Sequence, residues 1–133
     1  MRAGLFKSVL NLYDWLPAQG ELRTTIRYGG TDVFVDVVFE DGNDSTEKMM
    51  TIGFTGVCCF YVSAFPGISL LNIEYEKNAP LGNLLEFEES EAAKAWSEHF
   101  QYRKIRHFQV YFLSDNRRLE VFAETFNLQP TAS

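Results

Sequence analysis

Few residues in this chain have side chains suited to catalysis or metal binding. They are two adjacent cysteines, two histidines and a run of carboxylates. Cys58 and Cys59 would need a neighbouring base and a lowered pKa to act as nucleophiles. They lie inside Val57-Cys-Cys-Phe-Tyr-Val62, an apolar run, so the expectation is two buried small hydrophobes. Neighbours on a strand point to opposite faces, which makes a Cys58–Cys59 disulfide strained. With no other cysteine, no disulfide framework forms, and a reducing compartment fits. Zinc binding would require Cys58 and Cys59 to converge with His99 and His107 from opposite faces of a strand, so no metal is expected.

Glu86, Glu88, Glu89 and Glu91 form an acidic run, extended in sequence by Glu74 and Glu76. A carboxylate pair can do acid–base work. The same run also suits a solvated face, the first turn of a helix or a docking surface for a basic partner. Asp41-x-Asn43-x-Ser45 opens like a calcium loop but fails, with Thr46 where glycine is needed and Ile52 where the bidentate glutamate belongs. Arg103, Lys104, Arg106, His107, Arg117 and Arg118, interleaved with Tyr102, Phe108 and Tyr111, resemble a single-strand nucleic-acid surface. The net charge of −6 and pI near 4.9 oppose that reading. There is no glycine-rich phosphate loop, nucleophile elbow or HExxH. The sequence therefore assigns no catalytic residue, metal or cofactor.

The elements that position these groups begin with the closing stretch, His107 to Phe126. Phe108, Val110 and Phe112 alternate with His107, Gln109 and Tyr111; Leu119, Val121 and Ala123 alternate with Glu120, Phe122 and Glu124. A turn at Asp115-Asn116 predicts a hairpin pairing Phe112 with Leu119, Val110 with Val121, Tyr111 with Glu120 and His107 with Glu124. One face is apolar. The other carries Tyr111, Leu113, Phe122 and Phe126 among Gln109, Glu120 and Glu124, a mixture typical of contact surfaces. That face is the expected seat of a helix, a second subunit or a partner. Tyr111, Phe122 and Glu120 are the expected binding residues there, and Glu86 and Glu88 those of the acidic surface.

A second hairpin, 21–28 with 31–40 around Gly29-Gly30, is expected to pair Ile26 with Val33, Arg27 with Asp32 and Arg23 with Asp36. Leu5, Val9, Leu12 and Leu16 at helical spacing predict a short N-terminal helix ended by Pro17 and Gly20. Strands are expected at 47–55, 57–64 (a central strand, being apolar on both faces), 69–76 and 84–88. Turns are expected at Pro66-Gly67 and within 78–83. Ser90 should cap a helix near residues 90–100. The predicted fold is α+β, a mainly antiparallel, strongly curved or folded-over sheet of seven to eight strands with two short helices.

The length of 133 residues, 46% hydrophobic content and aromatic load (12 Phe, 6 Tyr) fit a single domain over 1–133 with its own core. The N-terminus is a poor signal peptide, and no run approaches the roughly 18 apolar residues of a membrane span. A cytoplasmic location is expected.

The closing pattern, Phe108-x-Val110-Tyr111-Phe112, a turn, then Leu119-x-Val121-x-Ala123-Glu124-x-Phe126, resembles the end of small acidic bacterial immunity-type proteins of polymorphic toxin systems. The likeness is close over 107–126 and otherwise one of layout. It implies an intracellular, non-enzymatic inhibitor of one toxin domain, and no motif carries a toxin-contacting residue over. The expected function is a non-enzymatic protein-binding domain. Its partner would be another protein or a second copy of the chain, with no nucleic acid and no membrane. A curled-sheet pocket for a small molecule or substrate (Tyr61, Tyr75, Trp96, His99, His107) and a self-assembling structural subunit are the alternatives.

Overall fold

The structure is a computed structural model, and it describes residues 1–42, 46–64, 73, 75 and 82–130. The strands are β1 (Phe6–Asn11), β2 (Arg23–Gly29), β3 (Asp32–Glu40), β4 (Glu47–Thr55), β5 (Cys59–Ser63), β6 (Asn83–Phe87), β7 (Arg106–Phe112), β8 (Arg117–Ala123) and β9 (Thr125–Pro130). One helix, α1 (Glu91–Phe100), lies between β6 and β7. The strands form two antiparallel sheets, ordered β1-β6-β7-β8-β5 and β2-β3-β4-β9.

The α+β class and antiparallel pairing match expectation; in place of one strongly curved or folded-over sheet of seven to eight strands, the described residues form separate sheets of five and four strands. Two sheets face each other, and neither is closed or strongly curled. Alternation along each strand explains the layers. Val35, Val37, Ile52 and Phe54 meet Leu84, Phe108, Val110, Leu119 and Val121 in the core between the sheets. The opposite face of the five-stranded sheet contributes Leu85, Phe87 and Phe122 to a second cluster with Ala92 and Ala93 of α1. The molecule thus has a sheet–sheet–helix arrangement.

Both expected hairpins form, with the expected parity, and both are displaced by two residues in pairing. In β7–β8, Phe112 faces Arg117, Val110 faces Leu119, and His107 faces Phe122 rather than Glu124. The loop is Leu113–Asn116, with Asn116 at φ +49°. It is held by groups outside the hairpin. The backbone N–H and hydroxyl of Thr24 donate to Asp115 Oδ2 (3.0 and 2.5 Å), and the Asp115 N–H donates to Glu21 Oε1 (2.8 Å). In β2–β3, Gly29 faces Asp32, so the turn residues are Gly30 and Thr31. Gly30 has φ +61°, suiting a turn that needs glycine only at its first central position. Arg27 therefore bonds Asp36 (2.7 Å) diagonally instead of facing Asp32, and Arg23 reaches Glu47 (2.9 Å) instead of Asp36.

The N-terminal helix is not formed. Residues 6–11 are a strand, followed by one 3-10 turn at Leu12–Asp14 whose cap, Asn11, accepts from the Tyr13 N–H (3.0 Å). A β-bulge between Ser8 and Leu10 shifts the register against β6 and brings Leu10 opposite Leu84. Of the predicted stripe only Val9 lies in β1, and the Leu12–Leu16 spacing belongs to the turn, where the Leu16 N–H donates to the Leu12 carbonyl (2.8 Å). Leu12 and Leu16 are buried as expected, while Leu5 is exposed.

β5 is an edge strand rather than the expected central one. It is apolar on both faces because Phe60 packs on the inter-sheet core and Cys59 on the second cluster. β9 was not expected at all. The strand at 69–76, the turn at Pro66-Gly67 and most of the calcium-like loop lie outside the described residues. Helix α1 matches its expected span, and Ser90 Oγ accepts from the Ala93 N–H (3.1 Å) at its N-cap.

Candidate functional site

The densest polar constellation lies between the five-stranded sheet and the start of α1. The two-residue displacement of the closing hairpin creates it. His107 now lies diagonally across from Glu120, and Gln109 lies directly opposite it. His107 Nδ1 is 2.8 Å from Ser90 Oγ, and Nε2 is 2.5 Å from Glu120 Oε1. The Tyr75 hydroxyl also donates to Glu120 Oε1. Gln109 donates to Oε2 (3.2 Å), and Arg118 lies 3.3 Å from the same oxygen and 4.8 Å over the Tyr75 ring. Tyr75 stays protonated because burial and the Glu120 charge push its pKa upward.

The partners assign the histidine tautomer. Ser90 Oγ accepts from Ala93, so its own proton is free to go to His107 Nδ1, leaving the imidazole proton on Nε2 for Glu120. Every lone pair and proton in the chain Ala93–Ser90–His107–Glu120 then has a partner.

A serine, a histidine and a glutamate in line resemble an activated nucleophile with its base and orienting acid. Burial decides against that role. Ser90 is 3% exposed, and His107 and Glu120 are 0% exposed. A nucleophile sealed from solvent and committed to a helix cap meets no substrate. The arrangement instead anchors α1 to the sheet, with a buried carboxylate satisfied on both oxygens.

The expected binding residues divide between two places. Glu120 and Phe122 are fully buried and Tyr111 is 8% exposed, all on the face that α1 and Tyr75 help to cover. Phe122 stacks on His107 at 4.4 Å, and Tyr111 donates weakly to Asn116 Oδ1 (3.4 Å). Glu86 lies on the opposite face of the sheet, 6% exposed, held by a bidentate Arg106 (2.9 and 2.6 Å) that lowers its pKa. Glu88 is exposed and pairs with Lys7 at 2.9 Å.

Cys58 sits in a bend before β5, so the two thiols do not take opposite faces; both pack on the second cluster. Burial raises the Cys58 pKa to about 11 and shifts Cys59 the same way, leaving both as thiols near neutral pH. Among the described residues no three His, Cys, Asp or Glu side chains are placed to hold a metal ion. The arginines of the basic stretch are engaged with carboxylates, Arg103 with Glu124, Arg106 with Glu86, Arg117 with Asp115 and Arg118 with Glu120, while Lys104 is exposed. His99 and Trp96 leave the buried constellation and line an open, mostly apolar cavity of about 510 Å³ with Met1, Ala92 and Ala95.

Sequence reasoning named His107 and Glu120 but missed their connection, and it read Ser90 only as a cap. The available signal was Gln109: a neutral donor opposite Glu120 satisfies a buried carboxylate better than Tyr111 does. No protein-family model, curated protein or solved structure matches the chain.

Proposed function

We propose that this chain is a protein-binding domain without catalytic chemistry, and that it recognises a basic partner. The observation that carries this reading is an uneven pairing of charge at the surface. Lys7, Arg23, Arg27, Lys48, Arg103, Arg106, Arg117 and Arg118 are all in ion pairs. Glu89, Glu91 and Glu98 are exposed on and beside α1, with no ion pair to a described cation. Arg2, Lys94 and Lys104 are exposed too, but the net charge of −6 leaves the surface acidic overall, which steers a cationic protein and repels nucleic acid. The resemblance of the closing hairpin to immunity-type proteins supports the same reading, and on it the partner is a toxin domain.

Affinity capture from the source cells tests the proposal. The tagged chain should retain a basic protein at about 0.05 M salt and release it at about 0.5 M, where screening is nearly complete. The triple substitution Glu89→Lys, Glu91→Lys, Glu98→Lys should abolish retention. Recovery of the chain alone, or identical recovery by the variant, would contradict it.

The cavity at Trp96 and His99 favours a second reading, a pocket for a small apolar molecule. Binding of an apolar fluorescent dye that disappears in Ala95→Arg would support that reading, and dye binding unaffected by the substitution would remove it.

A further inference from the structure

The two sheets differ by one strand, and the difference falls on one side. Tyr28 of β2 packs on Phe60 of β5 at 5.7 Å, which aligns those two edges. Phe54 of β4 and Phe126 of β9 both pack on Phe108 of β7, at 5.6 and 5.4 Å. β9 therefore sits over the middle of the five-stranded sheet, and β6 and β1 continue past it. Burial records the same step. Ile52 and Phe54 on β4 are fully buried, while Phe126 and Leu128 on β9 and Val9 and Leu10 on β1 are only partly buried against the core.

Among the described residues no strand pairs with the outer edge of β9. Pro130 stands opposite Met50 in the ladder, and proline has no N–H. Its pair must be of the non-hydrogen-bonded class. That class recurs every second residue, so Leu128 and Phe126 belong to it and turn their N–H and C=O groups away from β4. The Thr125 hydroxyl, 3.4 Å from the Phe126 carbonyl, agrees with that direction.

The edges of β1 and β2 carry guards that discourage strand addition, while β5, Cys-Phe-Tyr-Val-Ser, has no charged residue either. β1 has its bulge and Lys7. On β2, Asp115 accepts from the Thr24 N–H, and Arg117 donates to the Thr24 carbonyl (3.1 Å). β9, Thr-Phe-Asn-Leu-Gln-Pro, has no charged residue.

We propose that the edge of β9 is an acceptor for an extended segment of a partner protein, which pairs with Phe126 and Leu128 as a fifth strand. Its alternate side chains would be apolar toward Phe126, Leu128 and Leu10, and polar beside Thr125, Asn127 and Gln129. A second copy of the chain fits poorly. Pairing β9 with its own copy about a two-fold axis would drive the protruding β1 and β6 of each copy into those of the other. The inference rests on the protein-binding reading but not on the acidic surface.

The test uses the full chain, isotope-labelled for amide hydrogen exchange. The probe is an uncharged synthetic peptide of about eight residues alternating valine and threonine, a typical strand length. The expected result is at least about tenfold slower exchange at Phe126 and Leu128 on peptide addition. Leu128→Pro, which removes an N–H that points away from β4, should abolish the effect. Leu128→Ala, which loses the side chain but keeps the N–H, should retain it. N-methylation along one edge of the peptide should block binding, and along the other should not, which keeps the test decisive if Leu128→Pro does not fold. The charge variant at Glu89, Glu91 and Glu98 should respond as the unmodified chain does, so loss of the acidic-surface reading leaves this result standing. No response at millimolar peptide, a response indifferent to peptide N-methylation, or a dimer of the free chain that Leu128→Pro dissociates would overturn the proposal.

Discussion

The polar cluster beneath α1 and the flank beside β9 are opposites. The first gathers a serine, a histidine and a glutamate shut from solvent, with a half-buried tyrosine beside them. The second offers only backbone amides and part-buried apolar side chains, and leaves them open. Residue type alone would assign function to the first. Accessibility is the reason we propose recognition at the second, because a partner must be able to reach the groups it binds, whereas a satisfied buried network serves to specify one packing.

Substitutions can break this contrast, and the largest effects belong under α1. Glu120→Ala should cost about 3–5 kcal/mol, since it removes the buried carboxylate that His107, Gln109 and Tyr75 bond. Chemical denaturation measures it; a loss below about 1 kcal/mol would mean the network is dispensable. Phe122→Ser should cost a similar 3–5 kcal/mol, as large-to-small core substitutions do, because Phe122 is fully buried. Retention of stability there would return the hairpin face to the surface.

Ser90→Ala should cost about 1–2 kcal/mol, removing the α1 cap and the partner of His107 Nδ1. Helix signal lost with little change in the sheet would place the effect at the cap.

Acid should act elsewhere. Arg27 bonding lowers the Asp36 pKa, and Arg106 bonding lowers that of Glu86. A depressed pKa contributes stability that is present above the ordinary carboxylate range and lost as pH falls through the folded value. Stability should therefore fall progressively below about pH 4. Asp36→Asn and Glu86→Gln should each flatten that fall, and an unchanged pH profile would exclude the pairs as its source. On β9, Asn127→Ala should change stability by less than about 0.5 kcal/mol, as exposed positions usually do.

How much of this was legible depended on where each constraint lies. Alternation in 107–112 and 119–124 set the parity of the closing hairpin, because both faces pack. The register itself was not local. Thr24 and Glu21, far away in sequence, hold the loop through Asp115. His107 and Glu120 could each be named, but their contact depends on that loop. α1 was readable because Ser90 and an amphipathic run agree. The spacing of Leu5, Val9, Leu12 and Leu16 reads as a helix, but it spans a strand and a 3-10 turn, and the strand is set by its pairing with β6, distant in sequence. β9 left no signal beyond Phe126, since TFNLQP is neutral and short.

The central claim is that reactive side chains are sealed while the β9 edge is open. Amide hydrogen exchange of the free chain tests it most directly. Amides of Val110, Leu119 and Val121 should exchange only through global unfolding, and those of Phe126 and Leu128 at nearly the rate of an unstructured peptide. Protection of Phe126 and Leu128 equal to that of the central strands would contradict the account.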